Sequence, residues 1–301
     1  MANQRDIKNR IKSIKNICKI TSTMEMVSTS KMKKFQDRLE KSKAFDLKLT
    51  GVLNNIFSVK DAEYSDPLLH GSTWPTRVLI LEIVGNRGLC GSFNSNIMKK
   101  TASFIEDLFI KEGKDSSIYS IGKKGINHYS FIKQNCYKTM PNPDDSLSFK
   151  DAANLGQELM SLFLRGEFHE IYVSYSKVVS QSSQKAEIIK LLPLNQLVNS
   201  NSIELASVSS DYYYSLNPYN FEPNPNRVFS HLLPLFVKAK IYSSFLETSY
   251  SEFFARRVAM KNATDASNDM ISDLTVAYNH ARQGKITNEI LEIIGGAAGL
   301  E

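Results

Sequence analysis

The residue types closest to a chemical site lie in Gly85-Asn86-Arg87-Gly88-Leu89-Cys90-Gly91, a glycine-rich turn directly after an apolar run. Such a turn can hold phosphates when its backbone N–H groups converge on a ligand at the start of a helix. Its spacing, however, is GxxGxxG. A dinucleotide fingerprint needs GxGxxG with an acid about 20 residues on, and a triphosphate loop needs GxxxxGK[ST]. Cys90 offers a thiol, yet a small residue among close glycines reads as tight backbone packing rather than as a nucleophile. Gly122-Lys123-Lys124-Gly125 reads as a strand-to-helix turn. The histidines, His70, His128, His169, His231 and His280, are scattered without an HExxH pair or a serine elbow. Asp144-Asp145 and the trio Asp265, Asp269 and Asp273 are the nearest approach to paired carboxylates, and the four-residue spacing of the trio suits a solvated helix face. Cys18, Cys90 and Cys136 form no CxxC, which indicates neither a disulfide framework nor a zinc site and leads us to expect a reducing compartment. We therefore expect no catalytic residue, no metal site and no cofactor in this chain.

The elements that carry these residues fall into three segments. From Ala2 to Ile56 there is no proline and one glycine, Gly51, while Ile7, Ile11, Ile14, Ile17, Ile20, Met24, Val27, Met32, Phe35, Leu39, Leu49, Leu53 and Ile56 recur at steps of three and four. That spacing predicts one long helix, which needs a partner along most of its length. The partner begins at Glu222-Pro223-Asn224-Pro225, where Asn224 can cap and Pro225 can take the first helical position. Alternating steps of four and three from Val228 to Ala281 meet apolar residues at all but Ser249, Arg256 and Ser267, the heptad signature of a coiled-coil seam. Pro234 is expected to bend its first turns, and Gly295-Gly296 to end it.

Residues 76–222 have a different character. Val78–Val84, Ile118–Ile121, Ile171–Val179 and Ile188–Leu192 read as strands, and Asn94–Phe109 and Lys150–Leu164 as helices. Residues 195–217, with Tyr212, Tyr213 and Tyr214, read as a surface loop. The expected fold class is thus α/β: a long antiparallel coiled coil of N- and C-terminal helices (1–58 and 223–301, one discontinuous domain) with an inserted Rossmann-like α/β domain (76–222).

The formal charge of +6 is unevenly placed. Residues 1–48 hold 13 Lys and Arg against 5 acids, so the first helix is strongly basic while the rest of the chain is close to neutral. A basic helix can attract phosphates, anionic lipid or acidic loops of a protein, and charge alone does not choose among them. With 42% hydrophobic residues the chain is too apolar for general disorder, and neither a signal-like run at the start nor an 18-residue apolar span is present. Secretion by a standard signal and integration into a membrane are not expected.

Several stretches are specific in their wording: Lys19-Ile20-Thr21-Ser22-Thr23-Met24-Glu25-Met26-Val27-Ser28, Gly88-Leu89-Cys90-Gly91, Arg256-Arg257-Val258-Ala259-Met260-Lys261-Asn262-Ala263-Thr264-Asp265-Ala266, and Tyr278 through Glu289. With Gly295-Gly296-Ala297-Ala298 they resemble the family of F-type ATP synthase gamma subunits, over both long helices and at scattered points between them. The resemblance implies a central rotor shaft without a catalytic site of its own. It would couple rotation of a membrane c ring to sequential changes at catalytic beta subunits, and so regulate ATPase activity and proton flow. Implied partners are an alpha and beta hexamer, the epsilon subunit and the c ring. The implied location is the cytoplasmic face of a bacterial plasma (inner) membrane, with attachment only through the complex.

By the same resemblance, Met24, Arg256, Arg282, Gln283, Thr287 and Glu289 match positions that couple to beta subunits. Gly88, Leu89, Cys90 and Gly91 match a turn near the beta lever, and Phe221 and Glu222 match the foot that meets the c ring and epsilon. Arg256 could instead snorkel out of its seam. Asn86 departs from the acid usual before Arg-Gly-Leu-Cys-Gly. Two other readings are a basic coiled-coil nucleic-acid binder, which leaves the stretch from Arg282 to Glu289 without a role, and a dehydrogenase-like enzyme, which the glycine spacing opposes; no nucleic acid is expected as partner.

Overall fold

A computed structural model of the chain describes residues 4–57, 66–72, 74–143, 147–180, 183–194, 222 and 224–298. In chain order the elements are α1 (Gln4–Phe57), β1 (Arg77–Ile83), α2 (Phe93–Glu112), β2 (Asp115–Ile121), α3 (Lys123–Phe131), β3 (Lys138–Met140), α4 (Phe149–Leu164), β4 (Glu170–Ser180), β5 (Ser183–Leu192) and α5 (Pro225–Ala298). They group into two compact units. One takes the chain up to Ser30 and from Phe254 onward; the other takes Lys31–Phe253.

The larger unit is built on a five-stranded sheet in the order β3-β2-β1-β4-β5. β1 pairs in parallel with β2 and β4, β2 pairs in parallel with β3, and only β5 runs antiparallel, against β4. Central β1 is buried on both faces, as a parallel strand covered by helices must be. Leu79, Leu81 and Ile83 join the main core with Phe35, Leu39, Leu53 and Ile56 of α1, Leu155 and Leu159 of α4, and Leu233, Val237, Ile241 and Phe245 of α5. Val78 and Ile80 point the other way, onto Phe104, Ile105 and Leu108 of α2. The helix α4 starts with a capping box, Ser148 and Asp151 each bonding the other's backbone N–H. Close approach of α4 to α5 depends on Gly156, whose missing Cβ would sit 3.1 Å from Lys238 Cγ and 3.3 Å from Ile241 Cδ1.

Within this unit α1 and α5 run antiparallel, as Phe35 stacks on Phe253 with ring centroids 5.6 Å apart while Arg38 reaches Tyr242 Oη at 3.0 Å. From Ser243 to Glu252 every residue of α5 is buried, so a seam cannot be told from the other faces there. Asn224 caps α5 as expected, its Oδ1 accepting from Arg227 N at 2.8 Å, and Pro225 is the first helical residue.

In the smaller unit the two helices also pair antiparallel: Thr264 Oγ1 lies 2.8 Å from Thr21 Oγ1, and Cys18 Sγ 3.3 Å from Asn268 Oδ1. The inward line of α1 is Ile7, Ile11, Ile14, Cys18, Thr21, Glu25 and Ser28. This corrects the sequence reading. Ile17, Ile20 and Val27 are half or more exposed, because they form a second three-and-four stripe one residue, about 100°, away from the line that faces the partner. On α5 the expected seam holds at Arg256, Met260, Ala263, Ser267, Leu274 and Ala281, but beyond Ser267 alternate positions move one residue on: Ile271 and Tyr278 are the more buried, while Met270 and Ala277 are exposed. A straight helix at 3.6 residues per turn drifts against a strict seven-residue repeat.

Three further differences concern boundaries. The helix α3 follows the Gly122–Gly125 strand-to-helix turn, the short β3 had no sequence signal of its own, and β5 begins at Ser183 rather than Ile188 because it pairs with β4 along most of its length. The helix α5 passes through Gly295-Gly296 to Ala298 instead of ending there. Asp144-Asp145 and residues 195–217, with the three tyrosines, lie outside the described residues.

Candidate functional site

The strand order places β2 on one side of β1 and β4 on the other, a topological switch point of the kind where open α/β sheets hold ligands beyond the carboxyl ends of the strands. Here that place is taken by the chain's own helix α5. Ser251 Oγ donates to Ser176 O at 3.4 Å, and the Glu252 carboxylate lies so close to Gly85 that a Cβ there would meet it at 2.8 Å. Glu252 is 5% exposed. A larger residue at position 85 would collide with it, which gives the first glycine of the turn a packing reason.

The rest of the turn is held by three asparagines. Asn94 Oδ1 accepts from Gly85 N at 2.9 Å, and its Nδ2 reaches Cys90 Sγ at 3.2 Å. Asn86 Oδ1 accepts from Lys123 N and Asn142 N, both at 3.1 Å, and its Nδ2 donates to Asn142 O at 2.7 Å. Asn142 Nδ2 donates in turn to Val84 O at 2.9 Å. Cys90 is buried, whereas Leu89 stands 62% exposed with φ +62°. Gly91 follows at φ +58°, in the left-handed region that favours glycine.

The titratable groups elsewhere in the unit have structural partners. His169 Nδ1 accepts from Thr76 N at 3.0 Å. Glu170 sits between Lys190 at 2.6 Å and Lys114 at 2.7 Å; burial would raise its carboxyl, but those two lysines hold it below the usual range. Glu82 is fully buried on the α2 and α3 side of β1, with Tyr129 Oη donating to Oε1 at 2.8 Å, and burial pushes this carboxyl up. Among the described residues no group of three or more His, Cys, Asp or Glu is placed to hold a metal ion, and no helix is long and apolar enough to cross a membrane.

In the smaller unit, Met24 is half-buried on α1 and its carbonyl accepts from Ser28 Oγ at 2.7 Å. Arg256 is buried rather than reaching out to solvent. Arg282, Gln283, Thr287 and Glu289 all lie on the exposed carboxyl-terminal part of α5, so they share one stretch of helix distant in sequence from Arg256 and Met24. There Thr287 Oγ1 donates to Gln283 O at 3.0 Å and Lys285 lies 3.5 Å from Glu289. The same stretch exposes Ile286, Ile290, Leu291, Ile293 and Ile294. Exposed apolar side chains spread around a helix are what a contact surface offers. Glu222 is exposed and Phe221 lies outside the described residues.

Sequence reasoning missed Thr21, Ser28 and Thr264 as seam residues. A signal was present: the phase set by Ile7, Ile11 and Ile14, continued by heptads to Met32, Phe35 and Leu39, passes through positions 18, 21, 25 and 28. The asparagine network left no comparable trace.

Residues 3–300 match the family model described as ATP synthase. The chain is 38% identical over 297 residues to the ATP synthase gamma chain of Leptospira biflexa, with 99% of each chain covered. It is 34% identical over 321 residues to that of Rhodococcus opacus, covering 100% of this chain and 98% of the relative. Among solved structures, a chain of the Euglena gracilis mitochondrial ATP synthase, OSCP/F1/c-ring in rotational state 3, shares the fold with a TM-score of 0.67. That match is at 19% identity, over 99% of this chain and 94% of that one.

Proposed function

The chain belongs to the ATP synthase gamma-chain family, and on that premise we propose that it is the rotor shaft that couples turning of a membrane c ring to ATP synthesis. Three beta subunits around one asymmetric shaft each meet a different face of it, so rotation carries their sites in turn through states of different nucleotide affinity. The catalytic groups belong to the beta subunits. This chain supplies differential contacts, which is all a ligand of an allosteric system needs to supply. It thereby regulates both ATPase activity and proton flow.

The partners are an alpha and beta hexamer, the epsilon subunit and the c ring. The chain works at the cytoplasmic face of the bacterial plasma membrane, held there through the complex. Segments 1–58 and 223–301 serve as one discontinuous helical domain, with 76–222 inserted as the α/β domain. Arg282, Gln283, Thr287 and Glu289 grip beta-subunit loops, Met24 and Arg256 belong to the same coupling set, Gly88–Gly91 lies near the beta lever, and Phe221 and Glu222 meet the c ring and epsilon.

The observation that carries this reading is α5 beyond Ala281, which exposes five large aliphatic side chains beside Arg282 and Gln283. Apolar contact without directional bonds suits a bearing, and the polar residues next to it suit a grip. The test is a pull-down of the tagged full chain from detergent-solubilised membranes, with ATPase assay of the eluate. The expected result is recovery of alpha, beta and epsilon with activity that falls about tenfold in Arg282→Ala/Gln283→Ala. Recovery of nucleic acid, or of the chain alone, overturns the reading.

A further inference from the structure

The turn between β1 and α2 is braced beyond what chain reversal requires. Three buried or half-buried amides, Asn86, Asn94 and Asn142, come from the turn, from α2 and from the segment after β3. Between them they make four bonds that cross from one strand end to another. Asn86 binds the start of α3 through Lys123 N, and binds the segment after β3 through both backbone groups of Asn142. Asn142 returns a bond to Val84 O, at the end of β1. An aspartate at position 86 could accept both N–H groups but could not donate to Asn142 O. The amide thus does here what an acid at this place cannot.

What the brace holds is a leucine in a conformation leucine avoids. Leu89, at φ +62°, pays roughly 1 kcal/mol or more relative to an ordinary backbone, and it projects 62% exposed. Burial does not favour this conformation, since the side chain faces solvent. Neither does glycine chemistry, since Gly88 and Gly91 flank the position without occupying it. The neighbouring groups, by contrast, are pinned: Gly85 N, Arg87 O and Cys90 Sγ all bond to Asn94, and Gly85 O accepts from Lys124 N at 3.2 Å.

We propose that Asn86, Asn94 and Asn142 are positioning residues whose role is to present Leu89 as a fixed apolar knob to the beta subunit. This rests on the reading that the turn lies against that subunit. Leu89 makes the contact, and the asparagines act only through it. Fixing one side chain in advance removes the ordering cost that a mobile turn would incur each time the contact forms during rotation.

The test uses the full chain assembled with its alpha, beta, epsilon and c partners in inverted membrane vesicles, reading ATP-driven proton pumping per ATP hydrolysed. Leu89→Ala and Asn142→Ala are each expected to lower this ratio about fivefold, and the double variant no further. Because Asn142→Ala leaves Val84 O without its buried donor, Asn86→Asp serves as a milder second variant should the first fail to assemble. It keeps both acceptor bonds and loses the donor bond, with an expected fall of about twofold that vanishes in the Leu89→Ala background. The Leu89 methyl resonances in the assembled complex, sharp in the parent, are expected to broaden in both asparagine variants. Losses that multiply in the double variants, or unaltered methyl signals, overturn the positioning role while leaving the turn's contact in place. A normal ratio in Leu89→Ala overturns the contact itself, and the proposal with it.

Discussion

Replacing Glu82 by glutamine makes the α/β domain more stable at neutral pH than the parent, by an amount that grows with pH. The carboxyl is 0% exposed in the middle of β1. Tyr129 Oη donates to Oε1, and the Ser120 hydroxyl and Thr101 lie near the carboxyl. The groups that face it from α2, β2 and α3 are Thr101, Ser120, Tyr129 and Gly125, and Cys136 is close enough to feel its charge. Burial is the largest influence and raises the carboxyl above its ordinary range; hydrogen bonds from Tyr129, Thr101 and Ser120 only partly oppose it. The folded chain therefore keeps a proton that the unfolded chain has released. Stability from this group is fully present below the ordinary glutamate value and is lost as pH rises through the folded value, at about 1.4 kcal/mol per pH unit.

Glutamine fits the same space without ionising, accepts from Tyr129, and can donate to Ser120 Oγ. The two proteins should match near pH 4, and above that the parent should fall behind at up to about 1.4 kcal/mol per pH unit until the folded carboxyl ionises. The assay is urea unfolding of both full chains at half-unit pH steps, followed by far-ultraviolet circular dichroism. Taking the difference removes the contributions of Glu247 and Asp46, which burial also raises, and of Glu170. A difference that stays constant from pH 5 to pH 8 refutes the reasoning.

Gly85→Ala should cost about 1–3 kcal/mol by forcing a Cβ against the Glu252 carboxylate, and Glu252→Ala in the same chain should recover part of that in urea titrations. Thr21→Val removes the bond between Thr21 Oγ1 and Thr264 Oγ1 across the helix pair of the smaller unit and should cost about 0.5–1 kcal/mol in thermal unfolding, no more than that because Thr264 Oγ1 keeps its bond to Met260 O. Phe35→Ala removes a fully buried ring that stacks on Phe253 and should cost about 3–5 kcal/mol by the same urea assay. Glu170→Ala leaves Lys114 and Lys190 without their shared carboxylate and should cost about 3–5 kcal/mol at pH 7; the parent should lose this advantage as pH falls through the depressed value of Glu170.

The two kinds of residue pattern in this chain were legible to different degrees. Apolar periodicity identified both long helices, and mostly apolar, β-branched runs identified β1 and β4, because burial of one stripe or of both strand faces leaves a repeating mark. Asn224 and Pro225 announced the start of α5, since a cap acts through its immediate neighbours. The phase of α1 between positions 17 and 28 was not read correctly. Two stripes at the same spacing run side by side there, and the more apolar one faces outward while Cys18, Thr21 and Ser28 face the partner helix. Hydrophobicity alone therefore does not say which of two neighbouring stripes faces the partner helix.

By itself, then, the sequence determined where the long helices and the inserted sheet lie, the excess of basic charge on α1, and a glycine turn with the wrong spacing for phosphate. These are properties of neighbours along the chain, or of repeats within one element. The tertiary structure alone decided that α5 fills the switch point of the sheet, that the Glu252 carboxylate packs against Gly85, that Glu82 is a buried acid, and that Asn86 and Asn142 meet across strand ends. Each of these joins residues between 40 and 170 positions apart, by rough count, through packing that only sheet order and helix placement create. A single asparagine or glutamate carries no mark of the partner that such folding will bring to it.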